Sequence, residues 1–207
     1  MANGNPIYVY PLPVRIWHWI NACGFVLLIL TGFQIRYAEL LDFMTLSHAI
    51  ALHNYVGFIV IANFFIWLTY YLGTGNVKLY LPDPRNWAAL ILKQVQYYGY
   101  GIFVGKPNPH VVTTENKFNP LQQLAYLLIM FVFLPAQMMS GLLLWQIKKY
   151  EEYINLLGGI KLLDTIHVLL FFLFTSYLFI HCYFATLGHT PLARFKAMFT
   201  GFEEQRG

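Results

Sequence analysis

Residues 164–187 read DTIHVLLFFLFTSYLFIHCYFATL, with no charge after Asp164 and neither proline nor glycine. At ~1.5 Å rise per residue the stretch is just long enough to cross a hydrocarbon core ~30 Å thick. Two histidines interrupt it, His167 and His181, fourteen residues apart. That separation is about four turns at ~3.6 residues per turn, so both rings leave one helix face, roughly 21 Å apart along the axis. One imidazole therefore sits near each side of the bilayer. Ionisable side chains inside a span are costly and mark function, and imidazole is a common ligand of haem iron and other metals. The reading is a helix carrying one axial ligand for each of two stacked haems.

The composition agrees with a membrane setting. The 207 residues are 58% hydrophobic and only 11% charged, with mean hydropathy +0.52, whereas a soluble chain carries about 25% charge. The net charge of +4 is read as topology, not as a nucleic-acid signal, and no nucleic-acid partner is expected. The start, MANGNPIYVYPLPVRIWHW, lacks the charged, apolar and small-residue segments of a signal peptide, so the first apolar run is expected to be retained as a span. Cys23 and Cys182 fall inside apolar runs, and no C-x-x-C-H motif attaches haem covalently.

In chain order, span I runs from Val14 to Ile35, with Arg15, Trp17 and Trp19 as anchors at its start and His18 about one turn inside. Span II runs from Leu46 to Leu72 and carries His48 and His53 in its first turns. The long connection Gly73 to Asn119 contains a mixed segment, Arg85 to Phe103, whose apolar residues recur at near-helical spacing around Lys93 and Gln96. This predicts an interfacial helix and not a fifth crossing. Span III follows Pro120 and ends near Trp145, with Pro135 predicting a kink. Span IV is the 164–187 stretch, and an amphipathic tail after it is expected on the membrane surface. The fold class is thus all-α, an integral membrane four-helix bundle forming a single domain over 1–207.

Four spans put both termini on one side. Arg15, Lys78, Arg85, Lys93, Lys106, Lys117, Arg194, Lys196 and Arg206 fall on that side; Arg36, Lys148, Lys149 and Lys161 fall on the other. The bias predicts cytoplasmic N- and C-termini. Depth then follows from topology. His18 near the start of span I matches His181 near the end of span IV, and His53 near the start of span II matches His167 near the start of span IV. Two bis-histidine haems need such pairs at two levels.

Each residue also has an ordinary reading. A lone membrane histidine can bond across helices, but four matched in depth make that a coincidence. His48 competes with His53; it lies nearer the water on a different face, so His53 is preferred and His48 stays open as the alternative. His110 and His189 sit in loops. Gly32, Gly57 (four after His53), Ser140 and Gly141 leave room for a macrocycle or simply let helices approach. Arg15, three before His18, pairs with a haem propionate or serves only as an interfacial anchor.

PVRIWHWIN with His18, the LTGF after it, H-x-x-x-G at His53–Gly57, FNPLQQLAY, the SG of span III and the paired histidines of span IV resemble the bacterial cytochrome b561 superfamily. The likeness covers nearly the whole chain. That family includes the b-type cytochrome subunits of nickel–iron hydrogenases, the gamma subunit of formate dehydrogenase and the cytochrome b of thiosulfate reductase. The resemblance implies that His18, His53, His167 and His181 ligate two b haems, with a quinone site beside the cytoplasmic-side haem. VRIWHW is most like the hydrogenase form, and KFNPLQQLAY is more like the other two. The chain departs from the hydrogenase form, which usually carries two histidines close together at the start of span IV; only His167 is present here.

The expected function is electron transfer in the bacterial inner membrane between an outer-face oxidoreductase subunit (iron–sulfur or cytochrome) and the quinone pool. Asn21, Tyr183, Trp17 and His189 are the quinone neighbours chosen by depth and polarity. No catalytic constellation of the chain's own accompanies them. One alternative within the family is a stand-alone quinone oxidoreductase of the superoxide-oxidising type. Others are a histidine-lined metal-ion transporter, for which the spans hold almost no carboxylates, and a plain anchor, which leaves four imidazoles unexplained.

Overall fold

The computed structural model describes residues 6–41, 43–81, 86–110, 118–188 and 190–203. Asp42, Arg85, Lys117, His189 and Arg206 lie outside the described residues. In chain order the helices are α1 (Leu12–Arg36), α2 (Leu46–Gly73), α3 (Trp87–Gly99), α4 (Pro120–Trp145), α5 (Glu151–Leu156), α6 (Ile160–Thr186) and α7 (Ala193–Thr200). Of these, α1, α2, α4 and α6 are long and apolar enough to cross a membrane. A short antiparallel pair, β1 (Ile7–Tyr8) with β2 (Phe202–Glu203), joins the two ends of the chain.

Local chemistry sets the helix ends. The Thr45 hydroxyl accepts from the His48 backbone N–H and caps α2. Asn119 and Gln122 form a capping box with Pro120 in the first turn, which starts α4 sharply. Gly158 and Gly159 have φ of +101° and +89°, a conformation that suits glycine. The fourth span therefore begins at Ile160, a turn earlier than Asp164, and carries Lys161 in that turn. The segment expected between Arg85 and Phe103 is the helix α3 followed by a 3-10 turn, Gly101–Val104.

Before Pro135 the hydrogen-bond ladder of the helix changes register. The proline cannot donate to the carbonyl four residues back. The chain widens into a π turn over Ile129–Phe133, and the Leu134 N–H reaches the carbonyl of Ile129.

The bundle is two close helix pairs. α1 packs on α2, and the second half of α4 packs on α6; the pairs touch each other far less. Gly24 explains the first contact, because a Cβ there would lie 2.7 Å from Val60 Cγ2. At one end the space between the pairs is filled by a core of Phe64, Trp67, Tyr71, Tyr80, Phe118, Met130, Leu134 and Phe174. The described segments nearest both termini cover that end. The Val9 and Tyr10 N–H groups donate to Gly201 O at 2.9 and 3.1 Å, and Trp19 Nε1 donates to Met198 O at 3.2 Å. α3 rests on the start of α4, with Asn119 Nδ2 donating to the Tyr98 hydroxyl at 3.2 Å.

Gly24→Leu is expected to cost about 2 kcal/mol by forcing α1 from α2, read as a lower thermal midpoint in detergent. Combining Gly24→Ala with Val60→Ala should restore most of what Gly24→Ala alone loses.

Candidate functional site

The four histidines come together as two pairs, each straddling the seam between the helix pairs. His18 from α1 faces His181 from α6 with ring centres 6.2 Å apart and planes at 44°. His53 from α2 faces His167 from α6 with ring centres 6.5 Å apart and planes at 67°. Two imidazoles sharing one metal ion at roughly 2 Å from each nitrogen hold their ring centres about 6 Å apart. Both pairs have that spacing. His48 joins neither. It is exposed, and its Nδ1 lies 2.7 Å from Thr45 Oγ1 at the cap of α2.

Around His53 and His167 the seam opens into a cavity of about 460 Å³, within the range of ~300–1,000 Å³ usual for ligand pockets. Small residues shape it. A Cβ on Gly141 would lie 3.2 Å from His167 Cε1, and one on Gly32 would lie 3.6 Å from His53 Cε1. Gly57 lines the same cavity with no atom within 4 Å of where its Cβ would stand. Arg36 and Asp164 also line it and form an ion pair at 3.7 Å. With both side chains about half exposed, that pair contributes little to stability.

The polar groups that hold the His53 and His167 rings come from the spans themselves. Thr31 Oγ1 lies 2.8 Å from His53 Nδ1. Ser140 Oγ lies 2.9 Å from His167 Nδ1. Gln137 Nε2 lies 3.2 Å from His167 Nε2, while Gln137 Oε1 is buried without a partner. The amide therefore sits on the imidazole nitrogen that a metal ion would take, half-satisfied. Gln137 is not singled out by the sequence, Thr31 enters there only within LTGF, and Ser140 only for its size and within the SG of span III. Their signal was a polar group beside a small residue at a histidine's depth, as in Thr31-Gly32 and Ser140-Gly141.

The other pair is built differently. His181 stacks on Tyr177 at 5.7 Å, and His18 stands edge-on to Trp19 at 5.3 Å. His18 Nδ1 is buried without a partner. Arg15 donates through Nη1 to Phe199 O, so it ties α1 to α7, and its Nε is buried without a partner. Asn21 and Trp17 share α1. Asn21 Nδ2 donates to Trp17 O at 3.3 Å, and Asn21 Oδ1 and Trp17 Nε1 are buried without partners. Tyr183 is exposed on α6. Among the described residues no group of three or more His, Cys, Asp or Glu converges on one point, and Cys23 and Cys182 are both free.

Comparison with known proteins places these features in a wider set. The family described as "Prokaryotic cytochrome b561" matches residues 9–201. The "Putative cytochrome YdhU" of Escherichia coli (strain K12) is 34% identical over 206 residues, 97% of this chain and 76% of that protein. A "Probable Ni/Fe-hydrogenase B-type cytochrome subunit" of Cupriavidus necator is 26% identical over 211 residues, 89% of this chain and 82% of that protein. A protein of the same name from Rhizobium leguminosarum bv. viciae is 32% identical over 151 residues, 67% of this chain and 59% of that protein.

Gly57→Leu is expected to fill the cavity and to lower bound haem by about one per chain, measured by pyridine haemochrome against protein mass. Gly99→Leu, at the end of α3, is expected to leave haem content unchanged.

Proposed function

Because the chain belongs to the prokaryotic cytochrome b561 family, we propose that it is a single dihaem domain passing electrons between an outer-face oxidoreductase subunit and quinone. Membership makes it a multi-pass membrane protein and a b-type cytochrome of electron transfer. The finer reading rests on one observation, the two imidazole pairs at 6.2 and 6.5 Å. His18 and His181 hold one b haem; His53 and His167 hold the other. A bis-histidine b haem supplies a one-electron iron couple with no open position for oxygen chemistry.

The surrounding side chains support this assignment. Gly32, Gly57 and Gly141 leave room beside His53 and His167, and Gln137 is free to leave the His167 nitrogen. Near the other pair, the spare Nε–H of Arg15 is a donor for a propionate. The unpartnered Trp17 Nε1 and Asn21 Oδ1 offer a donor and an acceptor for a quinone or quinol. Asn21 and Trp17 orient such a ring, and Tyr183 stands two residues beyond His181 on α6.

Charge and kinship support an orientation and a class of partner. The bias of Lys and Arg supports an orientation with the His18–His181 pair toward the cytoplasm of a bacterial inner membrane. The His53–His167 pair then faces outward, where an iron–sulfur or cytochrome subunit docks. Relatives named as hydrogenase B-type cytochrome subunits support a partner of that class.

Purified protein is expected to bind two b haems per chain by pyridine haemochrome. His53→Ala and His167→Ala should each remove the same haem, and His18→Ala and His181→Ala the other. His48→Ala should remove neither. Loss of a haem with His48→Ala and not with His53→Ala would reassign the outer ligand.

A further inference from the structure

The two imidazole pairs differ in what holds their second nitrogens. Thr31 Oγ1 has one hydrogen, and it is donated to Leu27 O at 2.7 Å. Towards His53 the hydroxyl is therefore an acceptor, and Nδ1 of that ring carries the proton. Ser140 Oγ donates likewise to Gln137 O at 3.0 Å, so it too accepts from His167 Nδ1–H. Both hydroxyls are locked by the helix backbone beneath them. Each fixes its imidazole in one tautomer and leaves the Nε2 lone pair for the cavity. Gln137 Nε2, donating to that nitrogen in His167, reads the same tautomer. Among the described residues no hydrogen bond reaches either ring of the His18–His181 pair, and His18 Nδ1 is buried without one.

We propose that Thr31 and Ser140 are positioning residues for the axial imidazoles of the outer haem, and that their hydrogen bonds hold it at a lower reduction potential than the inner haem. This rests on the dihaem reading given under Proposed function. A hydrogen bond from the far ring nitrogen raises the basicity of the ligating one. A more basic ligand favours ferric over ferrous iron, and ligand hydrogen bonding is one of the protein's levers on haem potential. Among the described residues nothing gives the inner rings that push. With both haems bound, an electron reaching the outer one would therefore pass downhill to the inner one; Thr31 and Ser140 exchange no proton, because each keeps its hydroxyl hydrogen bonded to a backbone carbonyl.

The test is a spectroelectrochemical titration of the haem-loaded protein, following the reduced alpha band, with the outer midpoint assigned as the one missing in His53→Ala. Thr31→Val keeps the shape of the side chain and removes the hydroxyl; Ser140→Ala does the same at the other ring. Each is expected to shift the outer reduction equilibrium about tenfold toward ferrous iron, a rise of about 59 mV for one electron, and to leave the inner midpoint in place. Thr31→Ser should keep the wild-type value. Thr69→Val is the control: its hydroxyl serves Phe65 O and Ile66 O and meets no imidazole, so neither midpoint should move.

If Thr31→Val loses the outer haem while Thr31→Ser keeps it, the hydroxyl is still shown to position the ring. An outer midpoint that ignores both substitutions overturns the assignment. So does a Thr31→Ser variant that behaves like Thr31→Val, since size and not hydrogen bonding would then be at work. A wild-type protein with no haem that depends on His53 would overturn the dihaem reading itself, a result separable from a bound haem whose midpoint does not respond.

Discussion

Imidazoles reach across a seam between two helix pairs, and the rest of the structure accommodates that reach. A ring on α1 or α2 meets a ring on α6 only if the pairs stand apart by the width of two imidazoles and whatever they share. Helices in lipid gain little from hydrophobic attraction and tend to close up through small residues. Here they close up within each pair, as Gly24 shows on Val60, and stay parted between pairs. The charge-poor composition makes that gap costly unless a cofactor fills it, because half-buried imidazoles facing each other in lipid leave ring nitrogens with no shared partner.

The two levels of the seam are finished differently. At the end covered by β1, β2 and α7, aromatic rings from α2, α4 and α6 fill the interior, and the stacked Tyr177 supports His181. At the other end glycines and hydroxyls prevail. Gly32, Gly57 and Gly141 keep volume free, while Thr31 and Ser140 fix the rings that bound it. The π turn before Pro135 belongs to the same design. The extra residue in that turn rotates the second half of α4 relative to the first, and Gln137, Ser140 and Gly141 all lie beyond it, against His167.

The crossing helices and the pairing of the histidines were legible because both depend on length, hydropathy and helical period, which are local quantities. Fourteen residues on one helix fix two depths, and alternating span direction fixes which partner shares each. Less legible was anything that depends on a side chain's own hydrogen bonds. Thr31 looks like any threonine in an apolar span until Leu27 O and His53 are seen around it. Ser140 stands out in sequence only by its small volume and its place in the SG of span III. Arg15 was read as a propionate partner or an anchor, and it proves to bind the Phe199 carbonyl, a contact 184 residues away in sequence that no periodicity can reveal. The earlier start of α6 came from paired left-handed glycines, a signal present in the sequence but outweighed by the charge of Asp164.

An experimental density map of the haem-loaded protein tests the central claim most directly. The account predicts two separate planar densities, one between His18 and His181 and one between His53 and His167, each with density from both rings to its centre. A single planar density, or one whose axial contact comes from His48 or from a side chain other than these four, would contradict it.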